Sequence, residues 1–191
     1  IKGDKEEVMK VSNVRGILAS ESDLAREISS ADIMASCVDN NALPHIIPLL
    51  AEGLKKRYED DPHNALDIII AVNMRNASQF FYNELEKEMG KDFPLERLVG
   101  LVETSIGKMV PIMTKEEMDK DILRIFAEPY NNLILDKKAF KNPIPPVEGL
   151  SPKQNMKAWV DRKLYVHNVG HTAITSPINL YEPALVYLWQ A

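Results

Sequence analysis

LDIIIAV, residues 66–72, is an almost unbroken run of apolar, mostly β-branched side chains in which Asp67 is the single polar interruption. A half-solvated strand alternates polar and apolar positions. A run without alternation is what a strand covered on both faces requires, and this one is too short for a buried helix. Working outward, LPHIIPLLAEGLKKRYED (43–60) spaces Leu43, Ile46, Ile47 and Leu50 as one face of a helix, and ASQFFYNELEKEMG (77–90) reads as a second helix closed by Gly90. Pro44 suits the first turn of the earlier helix, whereas Pro48 falls one turn too late to be comfortable.

Further strands are expected at ADIMASCV (Ala31 to Val38) and at LVGLVET (98–104), with a helix at DLAREISS (23–30) capped by Ser22 or Asp23. Strand, helix, strand, helix, strand predicts right-handed crossovers and an α/β, doubly wound parallel sheet. Ligands of such sheets lie at the carboxyl ends of the strands. The turns that matter are therefore 38–41, 73–76 and 104–108.

Past residue 112 the pattern changes. DILRIFAE (121–128) and NNLILDKKAF (131–140) read as two short extended pieces, a hairpin or an added edge. The proline-dense KNPIPPVEGLSP (141–152) reads as an inter-domain linker, because proline removes donors and stiffens the backbone. A helix is expected to start near Ser151 with Pro152 in its first turn.

That last helix contains RKLYVHNVGH (162–171), dense in donors and bases. Projected at ~100° per residue from Lys163, the side chains of Met156, Trp159, Val160, His167 and His171 fall within about 80° of it, and Asn168 lies about 140° round. Lys163 thus sits on the apolar face, where lysine is normally excluded. Burial penalises the ammonium form and lowers the pKa toward the range a general base needs, with imidazole and carboxamide groups nearby to orient a hydroxyl. A lysine that snorkels its ammonium into water is the plainer reading. His167 and His171 have the i, i+4 spacing of zinc ligands, but no third ligand is recognisable, so no metal is expected.

KLYVHNVGH carries a resemblance. Lys163, Asn168 and His171 fit the K-x4-N-x2-H signature of the polyol-specific long-chain dehydrogenase/reductases, the mannitol dehydrogenase family. ADIMASCV, LPHIIPLLAEGLKKR, LDIIIAVNM, LVGLVETSIGKMVP and ILDKKAF also resemble successive blocks of that family, so the likeness spans most of residues 14–175.

It implies a partial Rossmann-like sheet, with residues 1–150 forming the later part of an NAD(P)-binding domain plus linker, and residues 151–191 opening an all-α substrate domain. The implied reaction is zinc-independent hydride transfer between NAD or NADP and a sugar alcohol, or its phosphate such as mannitol 1-phosphate, giving the ketose. By the resemblance Lys163 is the general base, Asn168 and Asn73 polarise the substrate oxygen, and His171 binds a substrate hydroxyl. Contacts to the cofactor would come from Val38, Asp39 and Asn40, together with Asn73. Two departures stand out. Val72 replaces an acidic residue, and Ile106, Gly107, Lys108 and Met109 stand where the family has V-D-R-I, which removes an aspartate that orients the polyol.

The chain opens IKGDKEEV, without Met or a glycine-rich turn. The phosphate-binding loop is accordingly expected upstream of Ile1 and most of the helical domain beyond Ala191, so residues 1–191 alone are expected to be inactive. The formal net charge of −5 argues against nucleic acid. The lone Cys37 excludes an intrachain disulfide and fits a reducing cytoplasm, and no apolar run is long enough to span a bilayer. A non-catalytic sugar- or nucleotide-binding relative, or a packing module whose helix 153–175 docks a partner helix, are the alternatives.

Overall fold

The structure, a computed structural model, describes residues 7–18, 23–39 and 41–181. Burial around one strand organises it. β2 (Leu66–Ile70) pairs in parallel with β1 (Ile33–Ser36) on one side and with β3 (Val99–Ile106) on the other, with Ile68 opposite both Met34 and Leu101. β3 is antiparallel to β4 (Leu133–Asp136), which is parallel to β5 (Leu150–Lys153), giving a five-stranded sheet in the order β1-β2-β3-β4-β5. Leu66, Ile68 and Ile70 are buried against α2 (Leu43–Asp60) and α3 (Ala77–Met89), in a core shared with Ile47, Leu50, Leu54, Phe81 and Leu85.

The crossover helices form where their periodicity places them. Asp39 Oδ1 accepts the N–H groups of Asn41 (2.8 Å) and Ala42 (3.2 Å), stabilising the turn that leads into α2. Pro44 occupies the first turn of α2 and Pro48 lies inside it. Pro48, the sixth residue of α2, forfeits the bond to the carbonyl of residue 44, and the helix nevertheless continues to Asp60.

At the other end of α2, buried Arg57 donates to the carbonyls of Ser29 (2.6 Å), Ala31 (2.8 Å), Asn64 (2.9 Å) and Ala65 (3.0 Å). One guanidinium thereby ties the end of α1 (Leu24–Ser30) to the entry of β2. Burial lowers the Arg57 pKa, an effect opposed by Asp32 and Asp61. Asp23 precedes α1, but its side chain makes no capping bond and pairs instead with Arg26 at 3.2 Å. Ser22 lies outside the described residues.

Asp67, the one polar interruption of the central run, has a tertiary role. Its carboxylate is buried and accepts from the Lys141 N–H (2.7 Å), the Asn142 N–H (3.0 Å) and Asn142 Nδ2 (3.0 Å). Gly100 makes the room: a Cβ there would lie 1.9 Å from Asp67 Oδ1.

Four local expectations are corrected. The strand expected from Leu98 starts one residue later, because Leu98 closes a short helix, α4 (Leu95–Leu98). No strand forms at 121–128, where Ile122, Leu123 and Ile125 are exposed. The apolar residues there met no sheet edge to pair with, and a short charged helix, α5 (Lys115–Lys120), capped by the Thr114 side chain, precedes them. The proline-dense stretch is not a free linker, since Asp67 holds its start and its end forms β5. Pro152 is tolerated there because β5 is an edge strand, where a missing donor costs no ladder bond. Finally, the helix expected at Ser151 begins at Met156 as α6 (Met156–Arg162), with Asn155 as its N-cap.

Candidate active site

Asn73 lies just beyond the carboxyl end of β2, in the short turn that leads into α3, and is exposed. Lys163 follows α6, whose Met156 is buried. The fold brings the two together: Lys163 Nζ stands 3.4 Å from Asn73 Oδ1, at the long limit of a hydrogen bond. Lys163 is half-buried, and burial lowers its pKa. Desolvation thus works against the ammonium form, while the Asn73 carboxamide oxygen accepts from Nζ.

The helix carrying Lys163 is not α-helical throughout. Lys163–Asn168 is a π-helical turn, followed by α7 (Val169–Tyr181). The uniform 100° projection is corrected here. A π-turn bonds residue i to i+5, so Lys163 and Asn168 stand one turn apart rather than on separate sides of the helix. Asn168 is half-buried and His171 is exposed in the first turn of α7.

At the end of β1, Val38 is half-buried against the core, and Asp39 is exposed with one carboxylate oxygen engaged by its own turn. Asn40 lies outside the described residues. Buried Ser36, the last residue of β1, has an Oγ without a hydrogen-bond partner, a spare polar group at the sheet's carboxyl edge. Among the described residues no group of three or more His, Cys, Asp and Glu side chains is placed to hold a metal ion. No helix among them is long and apolar enough to cross a membrane.

Sequence reasoning missed a polar cluster beside Lys163. Arg75, in the same turn as Asn73, reaches Asp161 Oδ1 with Nη2 (3.2 Å) and Tyr165 OH with Nη1 (3.1 Å). The contact to Asp161 is an ion pair by distance without hydrogen-bond alignment, so the directional bond is the one to Tyr165. Lys157 holds the other carboxylate oxygen of Asp161 at 2.6 Å. At ~100° per residue Asp161 and Tyr165, two positions either side of Lys163, project to the opposite side of the helix. The one sequence signal available was the place of Arg75 in the turn after the central strand.

The model of the mannitol dehydrogenase Rossmann domain matches residues 1–149. The chain belongs to the mannitol dehydrogenase family. Among its relatives is a mannitol-1-phosphate 5-dehydrogenase of Lactococcus lactis subsp. lactis (strain IL1403), 30% identical over 178 residues, which are 91% of this chain and 45% of that protein. A mannitol-1-phosphate 5-dehydrogenase of Streptococcus pneumoniae (strain ATCC 700669 / Spain 23F-1) is 30% identical over 168 residues, 85% of this chain and 43% of its own length. The chain thus spans under half the length of these curated relatives. In fold it is similar to a D-sorbitol dehydrogenase solved in substrate-free form, with a TM-score of 0.67 at 15% identity over 80% of this chain and 40% of that one.

The departures from the mannitol dehydrogenase pattern have structural readings. Val72 is half-buried and packs on the core, so no acid reaches the carboxyl edge from that position. Lys108 Nζ is spent on the Tyr130 carbonyl (2.9 Å) and Asn131 Oδ1 (3.4 Å). At Gly107 an added Cβ would meet only Tyr130 Cε1 at an ordinary 3.5 Å, so space does not forbid a side chain there.

Proposed function

We propose that this chain is part of a polyol dehydrogenase that interconverts a sugar alcohol, or its phosphate such as mannitol 1-phosphate, with the corresponding ketose, using NAD or NADP and no zinc. Residues 1–150 would then belong to the nucleotide-binding domain and residues 151–191 would begin the substrate domain. The observation that carries the reading is the half-buried amine of Lys163 beside the carboxamide of Asn73, at the carboxyl edge of a Rossmann-like sheet. Membership of the mannitol dehydrogenase family and the mannitol-1-phosphate 5-dehydrogenase relatives support it.

The residues at that edge fit a nicotinamide cofactor: an exposed carboxamide at Asn73, the turn after β1, and the unpartnered Ser36 hydroxyl. When bound, the cofactor supplies the hydride acceptor. In this reading the neutral Nζ of Lys163 takes the proton of the substrate hydroxyl. Asn73 and Asn168 donate N–H groups to the oxygen as it gains charge and becomes a carbonyl, a preorganised electrostatic contribution. His171 holds a neighbouring hydroxyl.

The test is a nicotinamide absorbance assay on the full-length protein, with free and phosphorylated hexitols and ketoses, in the presence and absence of a chelator. Turnover should survive the chelator. Lys163→Ala should lose roughly 10²- to 10⁴-fold in turnover, partly restored by high pH or added amine. Undiminished turnover by the alanine variant, or its abolition by the chelator, would refute the assignment. The Gly107 and Val72 departures favour one other reading, a non-catalytic sugar- or nucleotide-binding relative. It predicts cofactor or polyol binding without turnover in the wild-type protein.

A further inference from the structure

The turn that carries Asn73 has firm ends. Ala71 N–H donates to the Ser36 carbonyl (2.9 Å), which continues the β1–β2 ladder past the end of β2. At the far end Glu103 Oε1 of β3 accepts both the backbone N–H (2.9 Å) and the hydroxyl (3.1 Å) of Ser78. Between these anchors the backbone passes through Asn76 in the left-handed region at φ 54°, a conformation asparagine tolerates better than most residues. Asn73 is exposed within this span, and its Oδ1 must meet an amine that comes from a separate helix, 90 residues further along the chain. Nothing in the strand or the turn itself sets that distance.

Arg75 spans the same gap. Its guanidinium leaves the turn two residues after Asn73 and straddles Lys163 along the helix, reaching Asp161 before it and Tyr165 after it, with its carbon 5.9 Å from the centre of the Tyr165 ring. Asp161 is in turn held by Lys157 one turn earlier, so it cannot swing away freely. The directional bond to the Tyr165 hydroxyl sets the orientation of the guanidinium, and its ion pair with Asp161 adds an attraction to the same helix on the other side of Lys163. Tyr165 also lies inside the π-helical turn, so the clamp grips the segment whose register sets Lys163 and Asn168 one turn apart.

We propose that Arg75, acting through Asp161 and Tyr165, is a positioning residue that holds the Asn73 turn against the π-helical turn and so sets the Lys163–Asn73 separation. The catalytic consequence rests on the function proposed above, whereas the mechanical one does not. The clamp itself is read by hydrogen–deuterium exchange of the full-length protein. Arg75→Met and Asp161→Asn should each speed exchange in residues 72–76 by roughly tenfold or more while leaving 66–70 unchanged.

In turnover, each variant should lose roughly ten- to a hundredfold in kcat with KM little changed, because a misplaced base is still a formed binding site. Arg75→Lys should recover part of the loss, and the double variant should be no worse than either single one, since all three break one connection. Tyr165→Phe, which removes only a hydroxyl, serves if the charge variants do not fold. Unchanged exchange at 72–76 in the variants that fold, or losses in the single variants that simply add, overturns the proposal. Should the wild-type protein show no turnover at all, the function proposed above fails and the exchange measurement still decides the clamp.

Discussion

At the scale of single residues, the site and the core use polar groups for opposite ends. Lys163 is half-buried with its charge disfavoured, and its desolvation is a cost that the folded state carries at neutral pH. Because its pKa is lowered, the unfolded chain binds the proton more tightly than the folded one, so this contribution makes stability rise with pH. The change falls between the depressed folded pKa and the ordinary lysine value of about 10.4. Lys163→Met should therefore melt at a higher temperature than the wild type near pH 7, with the advantage shrinking toward pH 10. A melting series that shows a constant difference would contradict this. Asp67 is the contrasting case, a buried carboxylate that satisfies three donors. Asp67→Ala strands those donors and should cost about 3 kcal/mol in a urea titration, and Gly100→Ala should cost a similar amount because its methyl group would occupy the carboxylate's place. The two losses should not add in the double variant, since both destroy one anchor.

At the scale of elements, much was legible in local pattern. The limits of α2 and α3 follow from apolar spacing, from proline in the first turn and from Gly90, which takes the positive φ of 84° that closes α3. β2 was legible because a strand covered on both faces has no polar alternation. β5 was not, because proline in a short segment reads the same in a linker as at a sheet edge. The π-helical turn was also invisible, since its composition is that of an ordinary helix and one extra residue per turn leaves no mark on spacing. Deleting Val166, an exposed residue within that turn, should return the segment to α-helix. Far-UV circular dichroism should keep its helical signal, and turnover should fall by less than about tenfold, since Lys163 and Asn168 would then be four residues apart, ~40° round an α-helix, and still share a side. A loss of about a hundredfold or more in that variant would show that a shared side is not enough and that the site needs the wider π-turn itself.

At the scale of the whole molecule, the core under the β1–β3 half of the sheet supplies the rigidity on which the site depends. Phe81 is fully buried at its centre and meets Phe80 edge to face at 6.2 Å. Phe81→Ala should cost roughly 3–5 kcal/mol, read as a fall in the midpoint of chemical denaturation, whereas Ile112→Ala, at a position 97% exposed, should leave the midpoint within experimental scatter. The contrast separates the sheet core from the long excursion between β3 and β4, whose apolar residues are largely exposed.

What the sequence determined by itself was the set of elements around LDIIIAV, the carboxyl-edge turns to inspect, and an amine placed on an apolar helix face. Burial and capping are local, and periodicity records them. Only the tertiary structure decided which side chains meet across the turn after β2, because the pairing of Lys163 with Asn73, and of Arg75 with Asp161 and Tyr165, depends on the path of the sheet and on one π-helical turn. Neither quantity is written in the spacing of residues along any single element.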